Sequence, residues 1–186
     1  MITYAITDPS TLNFTTLQDD LKRFSQKANM ILYRDKDTSD YHTTANQFIK
    51  QAKKFNFQRV LLHRDIDLAT RLQSDIHLTT LQLDKVELAK SKGLFVVVST
   101  HTPKEAEIAQ KEGADMITYS PIFSTPNKGR PIGVEAIESL RESIDIPIIA
   151  LGGIITQEQI DSAMAYGASG FASIRYFGQR SKNAKY

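Results

Sequence analysis

The chain has no cysteine. That absence removes disulfides, thiolate nucleophiles and cysteine-based metal sites together. No apolar run approaches the ~18 residues that a membrane-spanning helix needs. The opening Met1-Ile2-Thr3-Tyr4-Ala5-Ile6-Thr7-Asp8 lacks the charge-then-apolar layout of a signal peptide. Strong charge is missing too. The formal net charge is +2, with no basic run and no RNA-binding signature, which argues against a nucleic-acid partner. Internal repeats, linkers and low-complexity segments are likewise absent. The expectation is one cytoplasmic domain over residues 1–186 that handles a small molecule, with neither membrane nor nucleic acid as partner.

What is present is ordinary in amount and informative in order. Apolar residues make up 41% and charged residues 24%, the balance of a globular protein. Eight short apolar runs recur: Ile2 to Ile6, Met30 to Tyr33, Val60 to Leu62, Ile76 to Leu78, Leu94 to Val98, Met116 to Tyr119, Ile146 to Leu151 and Gly170 to Ile174. Helical patterns separate them. Ala45, Phe48, Ile49 and Ala52 share one helix face, as do Ile160, Ala163 and Met164. Thr102-Pro103-Lys104-Glu105 and Thr156-Gln157-Glu158-Gln159 read as capping boxes that open helices. Strands alternating with helices argue for an α/β fold with a parallel sheet, and eight strands for a compact single-domain (β/α)8 TIM barrel. At 186 residues the chain is short for a barrel, whose usual size is ~250, so some helices must be abbreviated. The stretches 65–72 and 78–89 are where this is expected. The tail from Phe177 to Tyr186 is polar and basic and reads as a frayed end or a terminal turn.

The most informative segment is Ile146-Pro147-Ile148-Ile149-Ala150-Leu151-Gly152-Gly153-Ile154, a continuous apolar run of the kind buried on both faces of a parallel sheet. The glycine pair at its end lets the backbone approach an anion and aim N–H groups at it. The plainer alternative is a tight turn. In TIM barrels the strand C-termini carry the chemistry, and the loops after the last two strands commonly hold a phosphate. The loop Ser120 to Gly129 adds Thr125 and Lys128, a hydroxyl and an ammonium suited to phosphate oxygens, or else a solvated surface loop.

Taken together, Ile6-Thr7-Asp8, Tyr33-Arg34-Asp35-Lys36, Ile76-His77-Leu78, Val98-Ser99-Thr100-His101-Thr102, Gly113-Ala114-Asp115, Pro121 to Lys128 and the glycine-pair unit resemble the thiamin phosphate synthase/TenI superfamily. The resemblance covers nearly the whole chain and is stronger after residue 95. It implies a (β/α)8 barrel and a place in thiamin biosynthesis. The synthase joins a hydroxymethylpyrimidine diphosphate to a thiazole phosphate with Mg2+ assistance. TenI-type relatives isomerise a thiazole carboxylate phosphate instead. By the resemblance, Arg34 and Lys36 hold the diphosphate, and Ser99, Thr125 and Lys128 keep family positions around the reacting groups. Gly152 and Gly153 receive the thiazole phosphate, with Arg175 standing where the family has a serine beside it. A phosphorylated small molecule is the implied partner, and a homodimer is compatible with it.

The departures matter as much. Leu32 replaces a glutamine, Asn127 a threonine and Pro121 the TenI histidine. The two carboxylate positions for Mg2+ align with Arg64 and Gln82, so no metal ligand is assigned unless Asp65 or Asp67 substitutes through a shift of the 63–67 loop. Arg64 is permanently charged and could supply the cation's charge itself. His63 is the candidate general acid/base, its alternative being a partly buried polar side chain, while His77 and His101 read as structural. Two outcomes stay open. One is a synthase-like transferase whose turnover is slow or lost. The other is a metal-free TenI-like isomerase or non-catalytic binder of a phosphorylated thiazole.

Overall fold

The structure, a computed structural model, describes residues 1–126 and 128–179. Eight parallel strands close into a barrel in consecutive order: β1 (Ile2–Ile6), β2 (Met30–Tyr33), β3 (Arg59–His63), β4 (Asp75–Leu78), β5 (Val96–Thr100), β6 (Met116–Tyr119), β7 (Ile148–Leu151) and β8 (Gly170–Ser173). The seam joins β8 to β1, with Ile2 opposite Gly170 and Tyr4 opposite Ala172. Helices follow every strand: α1 (Leu17–Ser25), α2 (Tyr41–Ala52), α3 (Ile66–Leu72), a 3-10 turn (Thr80–Lys85) running into α4 (Val86–Ser91), α5 (Pro103–Lys111), α6 (Glu135–Arg141), α7 (Gln157–Ala165) and α8 (Arg175–Gly178). The abbreviated helices lie where the short spacings require them, after β3 and β4.

Local sequence explains the ends of these elements. Thr102 and Thr156 each accept a hydrogen bond from the residue three positions on, and Glu105 and Gln159 reach back to close both capping boxes. Asp65 caps α3 by accepting from the Leu68 amide. β3 and β5 extend past the apolar runs, to His63 and Thr100. Their last inward residues are polar because they face a cavity, which is why hydrophobicity alone stops short of them. β7 begins two residues later than its apolar run. Pro147, just before it, has no N–H to add to a ladder.

Strand alternation divides the core in two. Inward side chains of Tyr4, Ile6, Met30, Leu32, Leu61, Val97, Met116, Ile149 and Ala172 fill the barrel. Outward ones, among them Ile31, Leu62, Ile76, Val96, Val98 and Phe171, pack under the helices. Each fully buried large apolar side chain contributes about 1.5–3 kcal/mol. At the N-terminal end Arg59 pairs with Asp75 at 3.2 Å and lies 4.2 Å over the Phe95 ring, capping the interior. Of the two expectations for the tail, its start follows the terminal turn and not the frayed end: Phe177 lies in α8, is buried and stacks on Phe171 at 5.3 Å. Residues 180–186 lie outside the described residues. No helix of the described residues is long and apolar enough to cross a membrane.

Candidate active site

Parallel strands deliver all eight C-termini to one end of the barrel, where a cavity of about 510 Å3 opens. Its floor mixes inward apolar residues, Ile6, Leu32, Leu151 and Ile174, with a polar layer of His63, His77 and Ser99. His77 bridges the interior. Its Nδ1 lies 2.8 Å from the Tyr4 hydroxyl and its Nε2 lies 2.9 Å from Ser99 Oγ. Burial pushes the Tyr4 phenol well above its ordinary range, so it remains an O–H donor. Burial, with Arg34 adding to it, brings His77 down to about 3. His63 also falls to about 3, first through burial and then through His77, Arg34, Arg64 and Lys36. Both imidazoles are therefore neutral at neutral pH. His63 meets His77 edge-on at 6.4 Å, and its ring nitrogens have no hydrogen-bond partner among the described residues. It can accept a proton only weakly and has no imidazolium to donate from.

Cations ring the mouth. Arg34, Lys36 and Lys128 line the cavity, and no carboxylate does among its described lining residues. Lys36 is depressed by Arg34 first, then by burial, Lys128 and Arg64, with Asp37 opposing. Four cations from the loops after β2, β3 and β6 thus crowd one region and repel one another, a cost that a bound polyanion reverses. Thr125 shares the lining, its hydroxyl donating to the Phe123 carbonyl at 3.0 Å. Asn127 lies outside the described residues.

The glycine pair sits opposite. Gly152 and Gly153 have φ of 100° and 73°, a region that costs other residues strain. Space forbids a side chain as well. A Cβ on Gly152 would stand 2.8 Å from Pro121 Cα, and one on Gly153 2.5 Å from the Ser124 carbonyl oxygen. Phe123 N–H donates to the Gly152 carbonyl at 3.0 Å, locking this turn onto the loop after β6. The tight-turn reading and the anion-cradle reading are therefore both served by the same glycines. Their amides donate to no acceptor among the described residues. They line a second cavity of about 280 Å3 with Arg175 and Asp8. Thr125, Leu151, Gly152 and Ile174 border both cavities, which therefore adjoin.

Arg64 and Gln82 lie together, in a groove beside the main cavity. Gln82 Nε2 donates to the Arg64 carbonyl at 3.0 Å, and Gln82 also caps the turn at Thr79. Asp65 is spent on local structure, one oxygen capping α3 and the other pairing with His42 at 3.0 Å. Asp67 is exposed and pairs with Lys92 at 3.4 Å. Neither lines the main cavity. Among the described residues no group of three His, Asp or Glu side chains could hold a metal. The described donor set of the main cavity is cationic and without carboxylates, and Asp8 in the adjoining cavity is a lone carboxylate beside Arg175, so the residues present do not fit Mg2+.

Asp8, Thr79, Thr80 and Ser120 also line the cavities, and Tyr4 is a partner of His77, none of which the motifs mark. Tyr4 is within reach of the sequence, since alternation with Ile2 and Ile6 places it inside the barrel. His101 is structural in part, as the sequence suggests. Its Nδ1 does donate to the Ser120 carbonyl at 2.9 Å, and it also borders the cavity.

A family model described as thiamine monophosphate synthase matches residues 3–177. The chain belongs to that family. Among curated members, it is 33% identical over 180 residues to the Aquifex aeolicus (strain VF5) protein named "Putative thiamine-phosphate synthase 2", covering 94% of this chain and 96% of that one. It is 30% identical over 181 residues to the thiamine-phosphate synthase of Clostridium novyi (strain NT), covering 92% and 87%. The solved thiamine phosphate pyrophosphorylase of Pyrococcus furiosus superposes with a TM-score of 0.79 at 22% identity, over 96% of this chain and 88% of that chain. That likeness bears on the fold.

Proposed function

We propose that this synthase-family protein is a cytoplasmic transferase that joins a hydroxymethylpyrimidine diphosphate to a thiazole phosphate, giving thiamin phosphate and pyrophosphate. The observation that carries it is the pair of anion-receptive ends across two adjoining cavities. One is the cluster of Arg34, Lys36 and Lys128; the other is the unused amides of Gly152 and Gly153, with Arg175 adding charge. A substrate with a diphosphate and a substrate with a phosphomonoester can then lie with their rings meeting over the floor.

In the reaction the thiazole nitrogen supplies the electron pair for a new C–N bond to the pyrimidine methylene. The C–O bond to the diphosphate breaks, and its electrons leave with pyrophosphate. Lys128, Lys36 and Arg34 face the negative charge that grows on the leaving group, the form of stabilisation that counts most in such a step. Ser99 and the neutral His63 border the reacting region as a hydroxyl and an imidazole that add no charge of their own. The described lining of the main cavity offers no carboxylate for Mg2+. Arg64 stands by the basic rim instead.

Incubating the purified protein with both substrates, with Mg2+ and with a chelator, tests this directly. Thiamin phosphate appearing under either condition supports the transferase. Binding of both substrates without product would leave a binder, and conversion of a thiazole carboxylate phosphate alone would point to an isomerase.

A further inference from the structure

Tyr4 is fully buried within the inner apolar cluster, and its hydroxyl has one partner among the described residues, His77 Nδ1 at 2.8 Å. Across the same ring, Nε2 lies 2.9 Å from Ser99 Oγ, which has no other partner among the described residues. A neutral imidazole has one N–H and one lone pair, so it can join the two hydroxyls in two ways. If Nδ1 carries the hydrogen, it donates to the Tyr4 oxygen, and the phenol's own proton points into apolar core with no acceptor. If Nε2 carries it, Tyr4 donates to Nδ1, Nε2–H donates to Ser99, and every buried donor is used. A buried donor without an acceptor is the costly arrangement, so the second is selected.

That choice dictates what Ser99 offers. Its oxygen already accepts from His77, so its proton must be given elsewhere, and the open direction is the cavity it lines. We propose that Tyr4 is a positioning residue which, through the tautomer of His77, fixes Ser99 as a hydrogen-bond donor toward an acceptor atom of the substrate. The assignment rests on the main cavity being the substrate site. A ligand presenting an N–H or O–H at this point meets a donor and is disfavoured; a phosphate oxygen or an unprotonated ring nitrogen is favoured. Tyr4 never touches the ligand in this scheme.

Nitrogen-15 NMR of the full chain without ligand reads the tautomer directly, with His77→Gln assigning the signals. The expected result is His77 as a single Nε2–H form, and loss of that single form in Tyr4→Phe. An Nδ1–H form in the unmodified protein overturns the proposal. Calorimetry with the pyrimidine diphosphate gives the second arm. Ser99→Ala should weaken binding about tenfold, the scale of one hydrogen bond to a charged group. Tyr4→Phe should weaken it about threefold when Ser99 is present and leave it unchanged in the Ser99→Ala background. Equal losses in both backgrounds would show that Tyr4 acts by packing alone, and would also overturn it. If the diphosphate does not bind the unmodified protein, the synthase reading falls, and the tautomer alone decides the role of Tyr4.

Discussion

The two rims of the cavity are built from different materials. On the β7–β8 side the site is backbone, with two left-handed glycines pressed against the loop after β6 and amides free to donate. On the β2–β3 side it is side chains, Arg34 and Lys36 lining the cavity and Arg64 standing in the groove beside it. A backbone site constrains its own sequence, because few residues fit the turn whether or not a ligand comes. A side-chain site is free to change sign, since its charges are set by residues that the turn geometry does not dictate. One rim is thus tied to fold stability and the other is nearly independent of it.

Gly153→Ala should break that contrast most severely, at the backbone rim. The added Cβ would stand 2.5 Å from the Ser124 oxygen and 2.7 Å from Phe123 Cβ, at a φ of 73°. Overpacking and left-handed strain together should cost about 3 kcal/mol. Urea denaturation checks it, with Gly167→Ala as comparator. There φ is 91°, but the nearest atom is a flexible Arg141 carbon at 3.4 Å, so only the strain of about 1 kcal/mol is expected. Equal losses for the two variants would mean that contact with the loop after β6 is unimportant.

At the opposite rim, Lys36→Ala combined with Lys128→Ala should leave stability almost unchanged and weaken diphosphate binding about 100-fold. Two charge-assisted contacts of ~1.5 kcal/mol each give that factor. Binding of thiazole phosphate, held by the glycine amides, should change less than about threefold. Matching losses for both ligands in calorimetry would mean a diffuse field rather than two subsites.

The same division explains what could be read from the residues alone. The barrel was legible because apolar runs and capping boxes are local signals, and the glycine pair because its backbone demand shows in residue type. The convergence of Arg34, Lys36, Arg64 and Lys128 is a product of topology, which brings three loops far apart in sequence to one rim. The polar strand-end residues His63 and Ser99 escape the apolar runs for a related reason. Residues that face a cavity are chosen for chemistry, so the hydrophobic pattern fades where the site begins. The Tyr4–His77–Ser99 chain crosses three strands, and only the register shows that their inward side chains meet.

Acid should expose the polar floor. His63, held near 3 in the folded protein against an ordinary 6.5, binds a proton in the unfolded chain but not in the folded one between those values. Stability therefore falls as pH drops below about 6.5, by roughly 1.4 kcal/mol per pH unit for one such histidine, and levels off near 3. His77 adds a slope of the same sign. Between pH 5 and 6.5, urea midpoints for His63→Gln should fall less steeply than for the parent by about one histidine's share. Parallel slopes would mean that His63 is solvated well enough to titrate normally.

The smallest effect is the sharpest test of whether the two rims are independent. Arg64 holds a φ of 73° without being glycine. Left-handed backbone costs such a residue about 1–2 kcal/mol, while glycine costs about 0.4–1 kcal/mol in unfolded-state entropy. Arg64→Gly should therefore stabilise the fold by about 0.5 kcal/mol, read as a higher urea midpoint. Removing one of the four crowded cations should also relieve Lys36, moving its ammonium back toward its ordinary range. Diphosphate binding should weaken about tenfold at the same time, for loss of one charged contact. A protein that grows more stable as it binds less would show that strain at this loop is kept for the ligand. Lower stability with undiminished binding would make Arg64 a structural residue and leave the basic rim to the loops after β2 and β6.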